Sequence, residues 1–281
     1  MKTWKKIVLG VSLISLFLGG GLVAWGYSQG GLTDLQNQTQ SEQDYVKKEV
    51  KDFNKIDIKS SSYNVLIKNG DVDKATLSYY QKTKNPIDTS VKDGQLTIND
   101  SNSELDSTSN KHINFFGLKD LVRLSTLNEE VRNKTIVITL PKKQTIDFLK
   151  VDLATGNLDL SNSTIKQADI NLNVGDLTFT KMIVSNLKAN LDVGSVDSDH
   201  TLFTNSDLSI AMGDYSGDNL IFNGHNKLDV TSGDIEIALK DYTLNVQADS
   251  HSGEVDITNN LKISKDNTLT ITSDLGDITV E

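Results

Sequence analysis

The chain has 281 residues, 38 acids against 28 lysines and arginines, a formal net charge of −10, two prolines and no cysteine. The acidic balance disfavours nucleic acid as a partner. The missing thiol excludes a lipidated cysteine, a thiolate metal site and a cysteine nucleophile, and it lets an exported chain fold without oxidation.

Lys2, Lys5 and Lys6 precede an uncharged run from Ile7 to Tyr27. About 20 apolar residues span a bilayer core, so 7–27 is expected to be a single-pass transmembrane helix. No acid precedes Asp34, and the positive-inside rule then makes 1–6 a cytoplasmic tail and puts the rest outside the cell membrane. Trp4 at one end, with Trp25 and Tyr27 at the other, stand where interfacial aromatics sit. The rival is a cleaved signal peptide, with Ala24 and Gly26 as its small residues. Residues 28–51 read as a spacer or stalk. Its first half, SQGGLTDLQNQTQ, is flexible in composition. The second half, SEQDYVKKEVKDF, predicts a short helix with a capping-box-like start at Ser41 and an apolar set of Tyr45, Val46, Val50 and Phe53.

From 52 to 140 the pattern is a looser β pattern, with candidate strands Ile56–Lys59, Tyr63–Lys68, Ala75–Tyr80, Gln95–Ile98 and Thr135–Leu140. An insertion at 99–133 interrupts it. Phe115, Phe116, Leu118, Leu121, Val122 and Leu124 make that insertion too apolar for a free loop. It reads as a cap or flap, or as a segment that touches a partner or the membrane.

Residues 141–281 are repetitive. Glycines at 156, 175, 194, 213, 233, 253 and 276 follow one another at spacings of 19, 19, 19, 20, 20 and 23. A period near 20 is the mark of a solenoid. Two residues after each glycine come Leu158, Leu177, Val196, Tyr215, Ile235, Val255 and Ile278; before it come Leu153, Leu172, Leu191, Ile210, Val230, Ala248 and Ile271. Alternation with polar residues makes these half-buried strands. A coil of about 20 residues cannot bury its own inner face, so coils stack at about 4.8 Å. The predicted fold is all-β: a parallel β-solenoid, right-handed as parallel crossovers are, behind the membrane helix.

The segments IDIKSSSYNVLIKNGD, VKDGQLTI and TIVITLPKK, together with the run of GDIxI-type repeats, resemble the LiaG-like putative adhesin domain family of bacterial cell-envelope proteins, over roughly Phe53 to Glu281. The resemblance implies a membrane-anchored or surface protein linked to envelope stress, and it brings no catalytic residues.

No nucleophile elbow, Walker motif, HExxH or zinc spacing is present. His112, His200, His225 and His251 each stand alone in a polar setting, and no arginine follows Arg132, which excludes an arginine base of the kind polysaccharide lyases use on a β-solenoid. A polysaccharide-acting enzyme is the remote alternative, and the chain is expected not to be an enzyme. One constellation remains. Directly after the glycines, and two residues further on, Asp159, Asp176, Asp197, Asp214, Asp234, Glu236, Glu254, Asp256 and Asp277 would stack into an outward acidic stripe. Turn chemistry accounts for much of this, since Asp and Asn favour tight corners. The functional reading is attraction of Ca²⁺ or cationic peptides, although the glycine-rich calcium nonapeptide is absent. No cofactor is demanded. The expectation is an envelope binding or scaffold protein with a membrane-protein or cationic-peptide partner, and with self-association through the C-terminal solenoid edge. A surface adhesin is the alternative, although so short a spacer would not clear a thick wall.

Overall fold

Apolar residues two apart on either side of a glycine give each coil two strands with one face inward and one outward. The computed structural model describes residues 43–82, 86–100 and 134–281. The expected tail, membrane helix and most of the spacer lie outside the described residues, as do 101–133 of the insertion. No helix among the described residues is long and apolar enough to cross a membrane.

The strands preceding the glycines form a ten-stranded sheet, and those following them belong to a fifteen-stranded one. Short strands such as Thr164–Ile165, Ile183–Ser185 and Leu202–Thr204 add a third side to each coil and join the larger sheet through the long strand Tyr215–Asn223. Between coils the pairing is parallel and in register. Leu158, Leu177, Val196, Tyr215, Ile235 and Ile278 are successive Cα partners, and all are buried in one core. Leu153, Leu172, Leu191, Ile210 and Val230 form the matching column. Beyond Val230 the expected column breaks: Val230 pairs with Ser273, while Ile271 and Ala248 lie in register with Leu228, one inward position earlier. In the interior Phe179 meets Phe203 edge to face, with ring centroids 5.3 Å apart, and Phe203 stacks on Phe222 at 5.8 Å.

The glycines are required by close approach. Gly194 has φ of +146°, and a Cβ there would lie 1.9 Å from the carbonyl oxygen of Gly175 in the preceding coil. No side chain fits.

The boundary expected at 140–141 separates two stretches of one continuous stack. Lys55–Ser60 pairs with Phe148–Leu153, and Asn64–Gly70 pairs with Leu158–Ser161. Outside that coil lie Gln95–Asn99 and Thr135–Pro141. The insertion therefore leaves and re-enters where other coils turn at a glycine. The five strands expected between 52 and 140 are present within two residues of the expected ends. A sixth, Asp88–Lys92, pairs antiparallel with Gln95–Asn99 across an Asp93–Gly94 turn with φ of 51° and 74°. That dipeptide is a strong hairpin signal.

The helix expected from Ser41 is absent among the described residues, because Gln43–Glu49 is a β-strand at the edge of the larger sheet, beside Thr76–Lys82. Tyr45 packs on Tyr80 with centroids 4.8 Å apart, and Val50 donates its N–H to Ala75. An open sheet edge offers backbone partners and cross-strand aromatic contact, which outweigh a short helix of marginal intrinsic stability.

Coil order at the far end departs from sequence order. Thr268–Leu275 lies between His225–Ser232 and Asn245–Ser252, and Ile278–Val280 lies between Ile235–Leu239 and Val255–Ile257. The last coil in sequence is thus one layer in, and the open edge expected at the C-terminus belongs to residues 245–257 instead. This also explains why Val255 is exposed and Ala248 only half-buried: their coil has a neighbour on one side.

Candidate functional site: the glycine corner and its acidic columns

In spatial order, the residues directly after the glycine corner are Asn157, Asp176, Ser195, Asp214, Asp234, Asp277 and Glu254. Each of the first six accepts the backbone N–H of its successor. Asn157 Oδ1 takes that of Asp176 (3.0 Å) and Asp176 Oδ1 that of Ser195 (3.0 Å). Ser195 Oγ takes that of Asp214 (3.4 Å) and Asp214 Oδ1 that of Asp234 (2.9 Å). Asp234 Oδ1 takes that of Asp277 (2.9 Å), and Asp277 Oδ1 that of Glu254 (2.8 Å). Turn chemistry is therefore real at this column: a short side chain ending in an acceptor satisfies a corner N–H that the ladder leaves over. One oxygen of each aspartate is fixed in this way and the other is directed elsewhere. Because the C-terminal coil is inserted, Asp214, Asp234, Asp277 and Glu254 are four successive acids, all exposed.

The second column reads Asp159, Thr178, Asp197, Ser216, Glu236, Thr279 and Asp256 in register. Sequence order placed Asp256 directly after Glu236. In space, acids and hydroxyl residues alternate without exception, which separates like charges by two coil spacings, about 10 Å. Neither column contains a lysine or arginine.

Asp159 departs from the expectation of an exposed stripe. It points outward, next to Leu66 in register, yet it is 3 % exposed, and its Oδ2 has no hydrogen-bond partner. Burial, helped by the nearby Asp176 charge and opposed by a hydrogen bond from Thr178, pushes its carboxyl up to about 8. Asp176 is half-buried, and Asp197, Asp214, Asp234, Glu236, Glu254, Asp256 and Asp277 are exposed.

Two features escaped the sequence reading. Asp199, His200 and Asp218 bring donor atoms within 4.8 Å of one another. His200 is a left-handed corner residue (φ 49°), in the column of Asn162, Lys181 and Asn219, and its Nδ1 lies 2.6 Å from Asp199 Oδ1. The 19-residue offset between Asp199 and Asp218 was the available signal. Directly before the glycines, Val174, Val193, Met212, Ser232 and Leu275 stand in register. Val193, Met212 and Leu275 are 39, 59 and 56 % exposed. The glycine corner thus carries exposed apolar residues on one side, interrupted by Ser232 and ending at Ser252, and a mostly acidic column on the other.

The family model described as Toastrack DUF4097 matches residues 53–281. The chain belongs to the Toastrack DUF4097 family. Among solved structures it is similar to a Bacteroides fragilis protein described as a putative adhesin, at 17 % identity and a TM-score of 0.40, over 86 % of this chain and 98 % of that one. A Clostridium sporogenes protein described as a putative cell adhesion protein aligns at 16 % identity and a TM-score of 0.29, over 85 % and 99 %. A Parabacteroides distasonis protein described as a putative lipid binding protein aligns at 12 % identity and 0.38, over 86 % and 98 %. No curated protein matches the chain. The Toastrack match covers both the N-terminal coils and the glycine repeats, in keeping with their shared core.

Proposed function

We propose that this Toastrack protein is a binding or scaffold protein of the bacterial cell envelope, held by the helix at 7–27 with its solenoid outside the cell and without enzymatic activity. The observation that carries this reading is the pair of acidic columns. They sit on a rigid stack, one of them is fixed by backbone hydrogen bonds, and no cation shares their register. A surface of this kind attracts cationic groups and is weakened by salt. The link to envelope stress rests on the LiaG-like resemblance of the segments around Ile56, Gln95 and Thr135.

Two measurements test it. An epitope after Glu281 should follow the membrane fraction and be removed by protease added to intact cells; a soluble or protected epitope refutes the topology. Oligolysine should bind the full chain in detergent, with affinity falling as salt rises. Absence of binding at low salt refutes the electrostatic surface.

A further inference from the structure

We propose that the glycine corner is a docking ledge for one class of partner, a cationic amphipathic helix lying along the stack. Its apolar side would cover Val193, Met212 and Leu275, and its lysines or arginines would face Asp214, Asp234 and Asp277. This rests on the reading of the acidic columns as a binding surface, and it names the partner that surface fits.

Three observations converge on that occupant. First, Val193, Met212 and Leu275 are exposed on a face whose other outward residues are mostly polar, and they align through the Val193–Met212, Met212–Ser232 and Ser232–Leu275 register pairs. Exposed apolar residues in a row mark a contact surface more often than scattered ones do. Second, the acids across the corner are preorganised. Asp214 and Asp234 each give one oxygen to the next coil's N–H, at 2.9 Å in both cases, so the side chains need not be ordered when a partner arrives. Third, the glycines between the two columns bear no side chain and leave the backbone as a floor. The spacings also agree. A helix repeats its face about every 5.4 Å and the coils repeat about every 4.8 Å, a mismatch of about 0.6 Å per step. An extended strand, at about 3.3 Å per residue, presents alternate side chains about 6.6 Å apart, a mismatch of about 1.8 Å between neighbouring coils. An acidic partner is repelled, and an uncharged apolar helix leaves the carboxylates desolvated without compensation.

The test uses the full chain in detergent and three labelled peptides of equal length and charge: a leucine–lysine amphipathic helix, its scrambled isomer without an apolar face, and a lysine–serine peptide. The helix should bind about tenfold more tightly than either control at moderate salt. The double variant Met212→Ser with Leu275→Ser should lower helix binding to the level of the controls and leave control binding unchanged. The triple variant Asp214→Asn, Asp234→Asn, Asp277→Asn keeps every backbone acceptor, so it should fold normally, bind all three peptides less well, and lose most of the salt dependence. Equal binding of helix and scrambled isomer overturns the ledge and leaves the electrostatic surface standing. Binding of none of the three overturns both. Helix binding that survives the serine variant places the peptide elsewhere and overturns the ledge.

Discussion

The two outward faces that meet at the glycine corner solve the same problem differently. Stacking in register brings like positions together about every 4.8 Å, so any charged position becomes a column of charges. On the ten-stranded sheet the column is Asp57, Lys150, Asp169, Lys188, Asp207 and Lys227, alternating in sign at every step. The neighbouring column is tied by amides: Asn171 donates to Asp152 and Asn190 to Asn171, both at 2.9 Å. Across the corner every charged member of the two columns is an acid. There the repulsion is moderated by hydroxyl residues at alternate coils in one column and by backbone N–H donors in the other. A compensated face is complete in itself. The acidic columns carry charge of one sign, and on the proposed reading one face serves stability and the other recognition.

Substitutions can break or sharpen this contrast. Gly194→Ala should have the largest effect, since the added methyl meets the Gly175 carbonyl at 1.9 Å. A loss of about 3–5 kcal/mol in urea unfolding is expected, with the post-glycine acceptor ladder lost locally. Asp159→Asn comes next and depends on pH. The folded-state carboxyl is raised from 3.8 to about 8, so the folded chain holds a proton that the unfolded chain releases. Stability from this group is complete below about pH 4, declines as pH rises toward 8, and is level above that. The variant should therefore raise the melting temperature at pH 9, by the equivalent of about 1–3 kcal/mol, and leave it unchanged at pH 4. Asp214→Ala should cost about 0.5–1.5 kcal/mol by orphaning the Asp234 N–H, whereas Asp214→Asn should cost nothing measurable at moderate salt. A loss in both would mean that the charge itself matters to the fold. Lys188→Gln should cost less than Asp214→Ala, about 0.2–1 kcal/mol of destabilisation read by chemical denaturation at low salt. If Lys188→Gln proves neutral while Asp214→Asn destabilises, the contrast between the faces is reversed.

Most of the architecture was legible because the inner residues obey one rule. Leu177, Ile235 and Ile278, separated by up to 101 positions, share one core as their places after the glycines require. The turn role of the post-glycine aspartates was equally legible from residue type. What could not be read was anything that depends on which coil neighbours which. The 23-residue step between Gly253 and Gly276 carries no sign of insertion, so the alternation of Glu236, Thr279 and Asp256 was invisible. The ledge went unnoticed for a similar reason: Val193, Met212 and Leu275 are unremarkable singly and form a column only in register. At Gln43–Glu49 a capping-box pattern lost to an available sheet edge, and local sequence does not report such an edge. Asp159 looked like its repeat-mates, yet its outward position beside Leu66 is closed to water.

The inward placement of the final coil bears on how the molecule is made. A ribosome releases residues 245–257 before residues 268–280 exist, yet the former dock on the latter. Until residues 268–280 have been made, the outermost layer has no proper seat, and the stack terminates at Ile235–Leu239. Maturation of the far end thereby waits for residues 268–280, and a nascent chain that stops short of Thr268 forfeits two layers rather than one.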